Sequence, residues 1–128
     1  MKSLFFPFLC ICFAFATTSI SAQNDAIVQV IQFEKLEAAL ENEIQLLDVR
    51  TVGEFKAGHI EGALNIDAME AEKFENYAQK LNKSKAIYLY CHSGGRSQQA
   101  SQRLKDLGFT KIYDYSGGYS EWSMKSKK

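Results

Sequence analysis

The sequence lacks an excess of charge of either sign. Its 15 Lys and Arg residues are matched by 15 Asp and Glu residues, so the formal net charge is zero. Proteins that bind nucleic acid usually present clustered basic charge, so nucleic acid is not an expected partner. With 128 residues, 46% of them hydrophobic, and a single proline, the chain is typical of one folded domain.

The sequence also lacks a hydrophobic run long enough for a transmembrane helix. The longest run covers residues 4–16, whereas a stable span needs roughly 18 to 20 apolar residues. Lys2 precedes this run and small polar residues follow it up to Ala22, which is the layout of a secretory signal. We therefore expect a signal peptide at 1–22, a mature domain at 23–128 without a stable membrane anchor, and a periplasmic or secreted protein. A buried N-terminal helix is the weaker reading, because no polar positions alternate with the apolar ones.

Cysteine and histidine are scarce. Cleavage of the signal removes Cys10 and Cys12, which leaves Cys91 as the only thiol and no intramolecular disulfide. A lone thiol in an oxidising compartment is either buried and inert or kept for its reactivity. His59 and His92 have no metal-ligand spacing with Cys91, so we expect no metal site, and no cofactor is expected.

Apolar segments at strand length alternate with segments of helical periodicity. This alternation predicts an α/β domain with a mostly parallel five-stranded sheet and helices on both faces. Segment 86–90 is apolar throughout, which favours a central position in the sheet. We expect a turn at Gly117 and Gly118, followed by a short helix over 119–124. The predicted strands are 27–30, 44–49, 63–66, 86–90 and 111–115.

Cys91 directly follows the predicted strand 86–90, at the sheet edge where α/β proteins bind ligands. The loop must then bend sharply into a helix that begins near Ser97, and two adjacent glycines allow such torsions. The N–H groups of this loop, the helix N-terminus and the charge of Arg96 all favour a thiolate, so we expect a lowered pKa and a nucleophilic sulfur. The substrate-binding residues predicted with catalytic Cys91 are His92, Ser93, Gly94, Gly95, Arg96 and Ser97.

Several separated motifs resemble the rhodanese domain family over about 27–122. The resemblance implies that Cys91 accepts a sulfane sulfur from a small sulfur-containing anion such as thiosulfate. The resulting persulfide passes the sulfur to a thiol, of a small molecule or a protein, or to cyanide. With the signal segment, the chain is similar to periplasmic single-domain rhodaneses of the phage-shock protein E type. The matching segments are LDVR at 47–50, EF at 54–55, GHI at 58–60, GALNI at 62–66, CHSGGRS at 91–97, GF at 108–109, and GG at 117–118 with Trp122.

Four residues of these motifs are expected to support the site rather than to react. Asp48, Arg50 and Glu54 are interpreted as a charge and hydrogen-bond network that braces the loops, because persulfide chemistry needs no dedicated carboxylate base. His59 is interpreted as a residue that anchors a turn. His92 is a departure from the family, many of whose thiosulfate-using members carry arginine there, and a neutral imidazole attracts a dianionic donor less strongly.

Two other classes of function remain open from the sequence. Cysteine phosphatases and arsenate reductases also combine a cysteine and an arginine on one loop, but with C-x5-R spacing, whereas Cys91 and Arg96 have C-x4-R spacing. The shorter loop suits a sulfur atom on the cysteine better than a tetrahedral phosphate. A binding module that uses the fold without catalysis is the second alternative, although an adaptor has no need of this cysteine, the two glycines and the arginine.

Overall fold

The computed structural model describes residues 27–127. Strands and helices alternate along this part of the chain, as the apolar periodicity predicts. The signal segment expected at 1–22 lies outside the described residues. The elements are β1 (Val28–Ile31), α1 (Phe33–Ala39), β2 (Gln45–Asp48), α2 (Val52–Ala57), β3 (Leu64–Asn65), α3 (Ala71–Ala78), β4 (Ile87–Tyr90), α4 (Gly95–Asp106), β5 (Ile112–Tyr115) and α5 (Gly118–Lys125).

The five strands form one sheet in the order β1-β5-β4-β2-β3. Every pairing in this sheet is parallel. The predicted α/β class with a parallel five-stranded sheet is therefore confirmed, and the apolar β4 is its central strand. The ends of β4 and β5 lie side by side, because Leu89 pairs with Asp114.

Each face of the sheet packs against helices, which creates two hydrophobic cores. On one face, Leu89 and Cys91 pack with Phe74 of α3 and with Leu104 of α4. On the other face, Tyr90 and Tyr115 pack with α1 and with partly buried residues of α2 and α5. Full burial of a leucine or phenylalanine stabilises a fold by about 1.5–3 kcal/mol, so these cores hold the strand ends that carry the site.

Three local features differ from the sequence prediction. Helix α2 was not predicted, although Thr51 caps it by accepting a hydrogen bond from the Glu54 N–H at 3.2 Å, which is part of a capping box. Helix α4 begins at Gly95, two positions before the expected Ser97. The turn expected at Gly117 and Gly118 ends earlier, because Gly118 already belongs to α5 with φ of 64°.

Within residues 27–127, none of the helices has both the length and the apolar character required to span a bilayer.

Candidate active site

The loop after β4 wraps around the Cys91 sulfur. The Gly94 N–H donates a hydrogen bond to Sγ at 3.1 Å. Gly94 has φ of 106°, and a Cβ atom there would lie 2.8 Å from the Ser116 carbonyl oxygen. This position therefore requires glycine, whereas Gly95 has an ordinary backbone and open space around it.

The sulfur of Cys91 lies in a polar cage, although the residue is only 1% exposed. Sγ lies 3.6 Å from the Ser97 hydroxyl oxygen and accepts the hydrogen bond from the Gly94 N–H. Burial raises the pKa of the Cys91 thiol, but the hydrogen bonds from Ser97, Gly94 and Ser93 outweigh burial and leave the pKa below its usual value. A thiolate is therefore favoured by hydrogen bonds from the loop.

Arg96 is paired with Glu54 rather than free. Its two terminal nitrogens donate to the two carboxylate oxygens at 2.7 and 2.9 Å. The Arg96 hydrogen bonds hold the pKa of Glu54 at about 2, despite an opposing effect of burial. Arg96 therefore reaches the loop already paired with a carboxylate, which the sequence analysis did not anticipate.

Asp48 and Arg50 form a separate buried network that does not include Glu54. Arg50 Nη2 lies 2.6 Å from Asp48 Oδ2 and donates to the Gly58 carbonyl oxygen at 2.7 Å. The Tyr90 hydroxyl donates to Asp48 Oδ2 at 2.7 Å and accepts from the Ile60 N–H at 3.0 Å. This network joins the end of β2, the end of β4 and the loop after α2.

The two histidines occupy different environments. His59 Nδ1 lies 2.9 Å from the Phe55 carbonyl oxygen, and its ring stacks on the Phe55 ring at 3.7 Å between centroids. These contacts join His59 to the last turn of α2, and its role in anchoring the turn stays a prediction. His92 is exposed on the loop, and only its carbonyl oxygen has a described hydrogen bond, from the Ser120 N–H at 3.0 Å.

Helix α5 binds the backbone of the cysteine loop. The Tyr119 N–H donates to the Cys91 carbonyl oxygen at 2.8 Å, next to the bond between Ser120 and His92. A Cβ atom at Gly118 would collide with the backbone carbonyls of Cys91 and His92. Gly118 therefore allows the close approach of α5 to the cysteine loop.

Asp114 was missed by the sequence analysis. Its side chain is 2% exposed, and its Oδ1 atom has no hydrogen-bond partner. It borders a cleft of about 380 Å³ together with Ser93, Gly94 and Gly95 of the loop. A lone carboxylate within the otherwise apolar and aromatic strand IYDY was the available signal.

Among residues 27–127, no group of three or more His, Cys, Asp and Glu side chains is arranged to hold a metal ion.

Comparisons with known proteins place this geometry in a family. The rhodanese-like domain model matches residues 32–125. The putative sulfur carrier protein YrkF of Bacillus subtilis is 32% identical over 109 residues, 84% of this chain and 57% of that protein. The thiosulfate sulfurtransferase GlpE of Coxiella burnetii is 31% identical over 94 residues, 73% of this chain and 85% of that protein.

A solved structure agrees with these matches. The human single-domain sulfurtransferase TSTD1 superposes with a TM-score of 0.65 at 29% identity, covering 75% of this chain and 96% of that one. The chain spans less than two thirds of the Bacillus subtilis proteins YrkF (57%) and YqhL (64%). A parallel sheet with a cysteine loop at its carboxyl edge, matched by the family model over most of the chain, identifies this protein as a member of the rhodanese-like domain family.

Proposed function

We propose that this protein is a sulfurtransferase in which Cys91 carries a sulfane sulfur as a persulfide. The observation that carries the proposal is the cage around Sγ, in which a loop N–H lies 3.1 Å from the sulfur. Such a cage stabilises negative charge on sulfur both before and after transfer. The names of relatives such as the Coxiella burnetii thiosulfate sulfurtransferase support the same class of reaction.

Transfer proceeds in two displacement steps. The Cys91 thiolate attacks the outer sulfur of a donor such as thiosulfate; the new S–S bond forms as the bond to the SO₃ group breaks, and sulfite leaves with the electron pair. A thiolate or cyanide acceptor then attacks the terminal sulfur of the persulfide. The bond to Cys91 breaks, and the thiolate is regenerated without a redox partner.

The phosphatase alternative fits the loop less well. Gly94 N–H already contacts Sγ directly, which suits a sulfur atom in the cage. A phosphate also needs a free arginine, because bidentate guanidinium contacts provide much of its recognition. Arg96 instead binds both carboxylate oxygens of Glu54.

Mass spectrometry of the intact protein tests the proposal. Incubation with thiosulfate, mercaptopyruvate or polysulfide is expected to add about 32 Da to the wild-type chain as a persulfide, and cyanide is expected to remove it. Cys91→Ser is the matched control, because serine is similar in size but does not ionise near neutrality. It should retain the fold and gain no sulfur.

Three outcomes separate the candidate functions. A mass gain that requires Cys91 and is reversed by cyanide supports the sulfurtransferase. Hydrolysis of an aryl phosphate without any mass gain would replace it with a phosphatase. Failure of both reactions with every donor would leave a binding module as the function.

We also propose that residues 1–22 direct export and are removed, which makes the protein periplasmic or secreted. The charged start, the apolar run and the small-residue end of this segment support the proposal. N-terminal sequencing of native protein should find a first residue near Gln23. Recovery of intact Met1 in a cytosolic fraction would contradict it.

A further inference from the structure

Tyr119, at the start of α5, contacts both the cysteine loop and the buried Asp48–Arg50 network. Its backbone N–H donates to the Cys91 carbonyl oxygen at 2.8 Å. Its ring lies against the Arg50 guanidinium, with 4.4 Å between the ring centroid and the guanidinium carbon. The two displacement steps of sulfur transfer do not use this ring, so its contact with Arg50 is unexplained by the chemistry alone.

The cysteine loop binds the first N–H groups of α5. The N–H groups at the start of a helix have no partner within the helix and need one elsewhere. Two of them, those of Tyr119 and Ser120, donate to the carbonyl oxygens of Cys91 and His92 at 2.8 and 3.0 Å. The position of the first turn of α5 therefore determines where the first two residues of the loop lie.

The Tyr119 ring attaches this first turn to a cation that is itself held in place. Arg50 is 3% exposed, and it donates to both carboxylate oxygens of Asp48 and to the Gly58 carbonyl oxygen. A cation within about 6 Å of the centroid of an aromatic ring is attracted to its face, more strongly where water is excluded. The ring also packs closely on Gly58, since a Cβ atom there would collide with the Tyr119 hydroxyl.

Trp122 attaches the next turn of α5 to a different part of the molecule. Its ring centroid lies 5.0 Å from that of Phe33 and 6.3 Å from that of Tyr115. Both partners belong to the core on this face of the sheet, and neither lies in the cysteine loop or in the Asp48–Arg50 network. Trp122 therefore offers a matched control for the effect of Tyr119.

We propose that Tyr119 is a positioning residue, whose ring holds the start of α5 on Arg50 and thereby keeps the cysteine loop closed around the sulfur. In the closed loop the Gly94 N–H lies 3.1 Å from Cys91 Sγ, and such a bond weakens as its distance and angle change. When the start of α5 shifts, the thiolate loses part of this stabilisation. The inference rests on the proposed function, in which Cys91 reacts as a thiolate.

The charges around the sulfur do not depend on the side chain at position 119. A tyrosine is uncharged near neutral pH, so replacing it with another uncharged residue adds or removes no charge. Arg96 acts on Cys91 through its charge, and both Arg96 and Arg50 are paired with carboxylates. A change of the thiolate population on substitution of Tyr119 therefore reports the geometry of the loop.

The test measures the Cys91 thiolate as a function of pH, from the rate of alkylation by iodoacetamide. Tyr119→Phe keeps an aromatic face on Arg50 and should reproduce the wild-type curve. Tyr119→Leu removes that face and should raise the pKa of Cys91 by about half a unit to one unit, which slows alkylation about threefold to tenfold below that pKa. A folded Tyr119→Leu variant with the wild-type curve would overturn the proposal.

Trp122→Leu separates positioning of the loop from a general loosening of α5. This variant should unfold at a lower temperature than the wild type, because a large aromatic contact with the core is lost. Its alkylation curve should nevertheless stay close to that of the wild type. A pKa of Cys91 that rises as much in Trp122→Leu as in Tyr119→Leu would overturn the proposal in favour of loosening.

Fluorinated phenylalanines at position 119 decide the question if a leucine variant fails to fold. They resemble phenylalanine in shape, but each added fluorine weakens the negative face of the ring that attracts the guanidinium. The pKa of Cys91 should rise stepwise with the number of fluorines, and a constant value across the series would overturn the proposal. Alkylation does not require sulfur transfer, so a protein that forms no persulfide but shows this stepwise rise would refute only the proposed function.

Discussion

Two arginine–carboxylate pairs flank the cysteine loop, and they differ in burial. The Asp48–Arg50 side chains are 0% and 3% exposed, and they share a network with the Tyr90 hydroxyl and the Gly58 carbonyl oxygen. The Glu54–Arg96 side chains are 34% and 28% exposed. The Asp48–Arg50 pair joins the ends of β2 and β4 through the Tyr90 hydroxyl, whereas the Glu54–Arg96 pair lies beside the loop and is partly open to solvent.

Because they differ in burial, the two arginine–carboxylate pairs should differ in what they contribute to stability. Removing one partner of a buried pair leaves an uncompensated charge, which is costly. A pair that is partly open to solvent contributes less to stability, because water screens both charges. We therefore expect the loss of a partner to be costly at the Asp48–Arg50 pair and mild at the Glu54–Arg96 pair.

The largest expected effect comes from breaking each pair in turn. Asp48→Ala should lower the free energy of unfolding by about 3–5 kcal/mol, because Arg50 stays buried without a counter-charge. Glu54→Ala should lower it by less than about 1 kcal/mol. Urea unfolding of both variants measures the two losses, and equal losses would show that burial does not distinguish the pairs.

An arginine at position 92 would place on the loop a positive charge that, unlike that of Arg96, has no carboxylate partner. His92 is exposed on the loop, and an arginine there would carry a full positive charge. His92→Arg should lower the KM for thiosulfate about fivefold. Steady-state kinetics test this, with His92→Gln as an uncharged control. A KM that His92→Arg does not change would show that charge at this position has no part in donor binding.

Releasing Arg96 from its partner should have a smaller effect. Glu54→Gln keeps the shape of the side chain but removes the charge that balances Arg96, so the loop gains positive potential. The KM for thiosulfate should fall about threefold. In Arg96→Ala the KM should rise, and adding Glu54→Gln to that variant should restore little of the loss. A rise in KM on Glu54→Gln alone would mean that the carboxylate is needed to hold Arg96 in place.

The smallest expected effect is the loss, in acid, of the contribution that the Glu54–Arg96 pair makes to the free energy of unfolding. The pKa of Glu54 is about 2, below its usual value of 4.5. A lowered carboxyl pKa stabilises the fold above the unfolded value and ceases to do so as pH falls through the folded value. The stability difference between wild type and Glu54→Gln, less than about 1 kcal/mol at pH 6, should therefore shrink between about pH 4.5 and 2. A difference that stays constant over that range would show that the charge on Glu54 is not its source.

Much of the fold could be predicted because the strands alternate with amphipathic segments. The unbroken apolar run at β4 indicated a central strand, and the structure places it at the centre of the sheet. Helix α2 was missed because Val52–Ala57 is short and none of its residues is fully buried. Its capping box, formed by Thr51 and Glu54, was the stronger signal.

The loop could be located from the sequence, but its charge balance could not. Cys91 at a strand end followed by glycine indicated an anion cage, and the structure places Gly94 and Ser97 against the sulfur. The pairing of Arg96 with Glu54 joins residues 42 positions apart, and local spacing carries no information about such contacts. Asp114 was missed although it is the single carboxylate of strand β5, because its burial depends on how the other elements pack around that strand.

The order of the strands determines when the chain can complete its fold during synthesis on the ribosome. Strand β1 pairs only with β5 in the described sheet, and the Cys91 carbonyl oxygen is bound by Tyr119 of α5. A nascent chain that ends before Ile112 therefore contains neither β5, the partner of β1, nor the Tyr119 N–H that binds the Cys91 carbonyl oxygen. Such non-local pairing delays folding until most of the chain has been made, so sulfur chemistry at Cys91 begins only after synthesis is nearly complete.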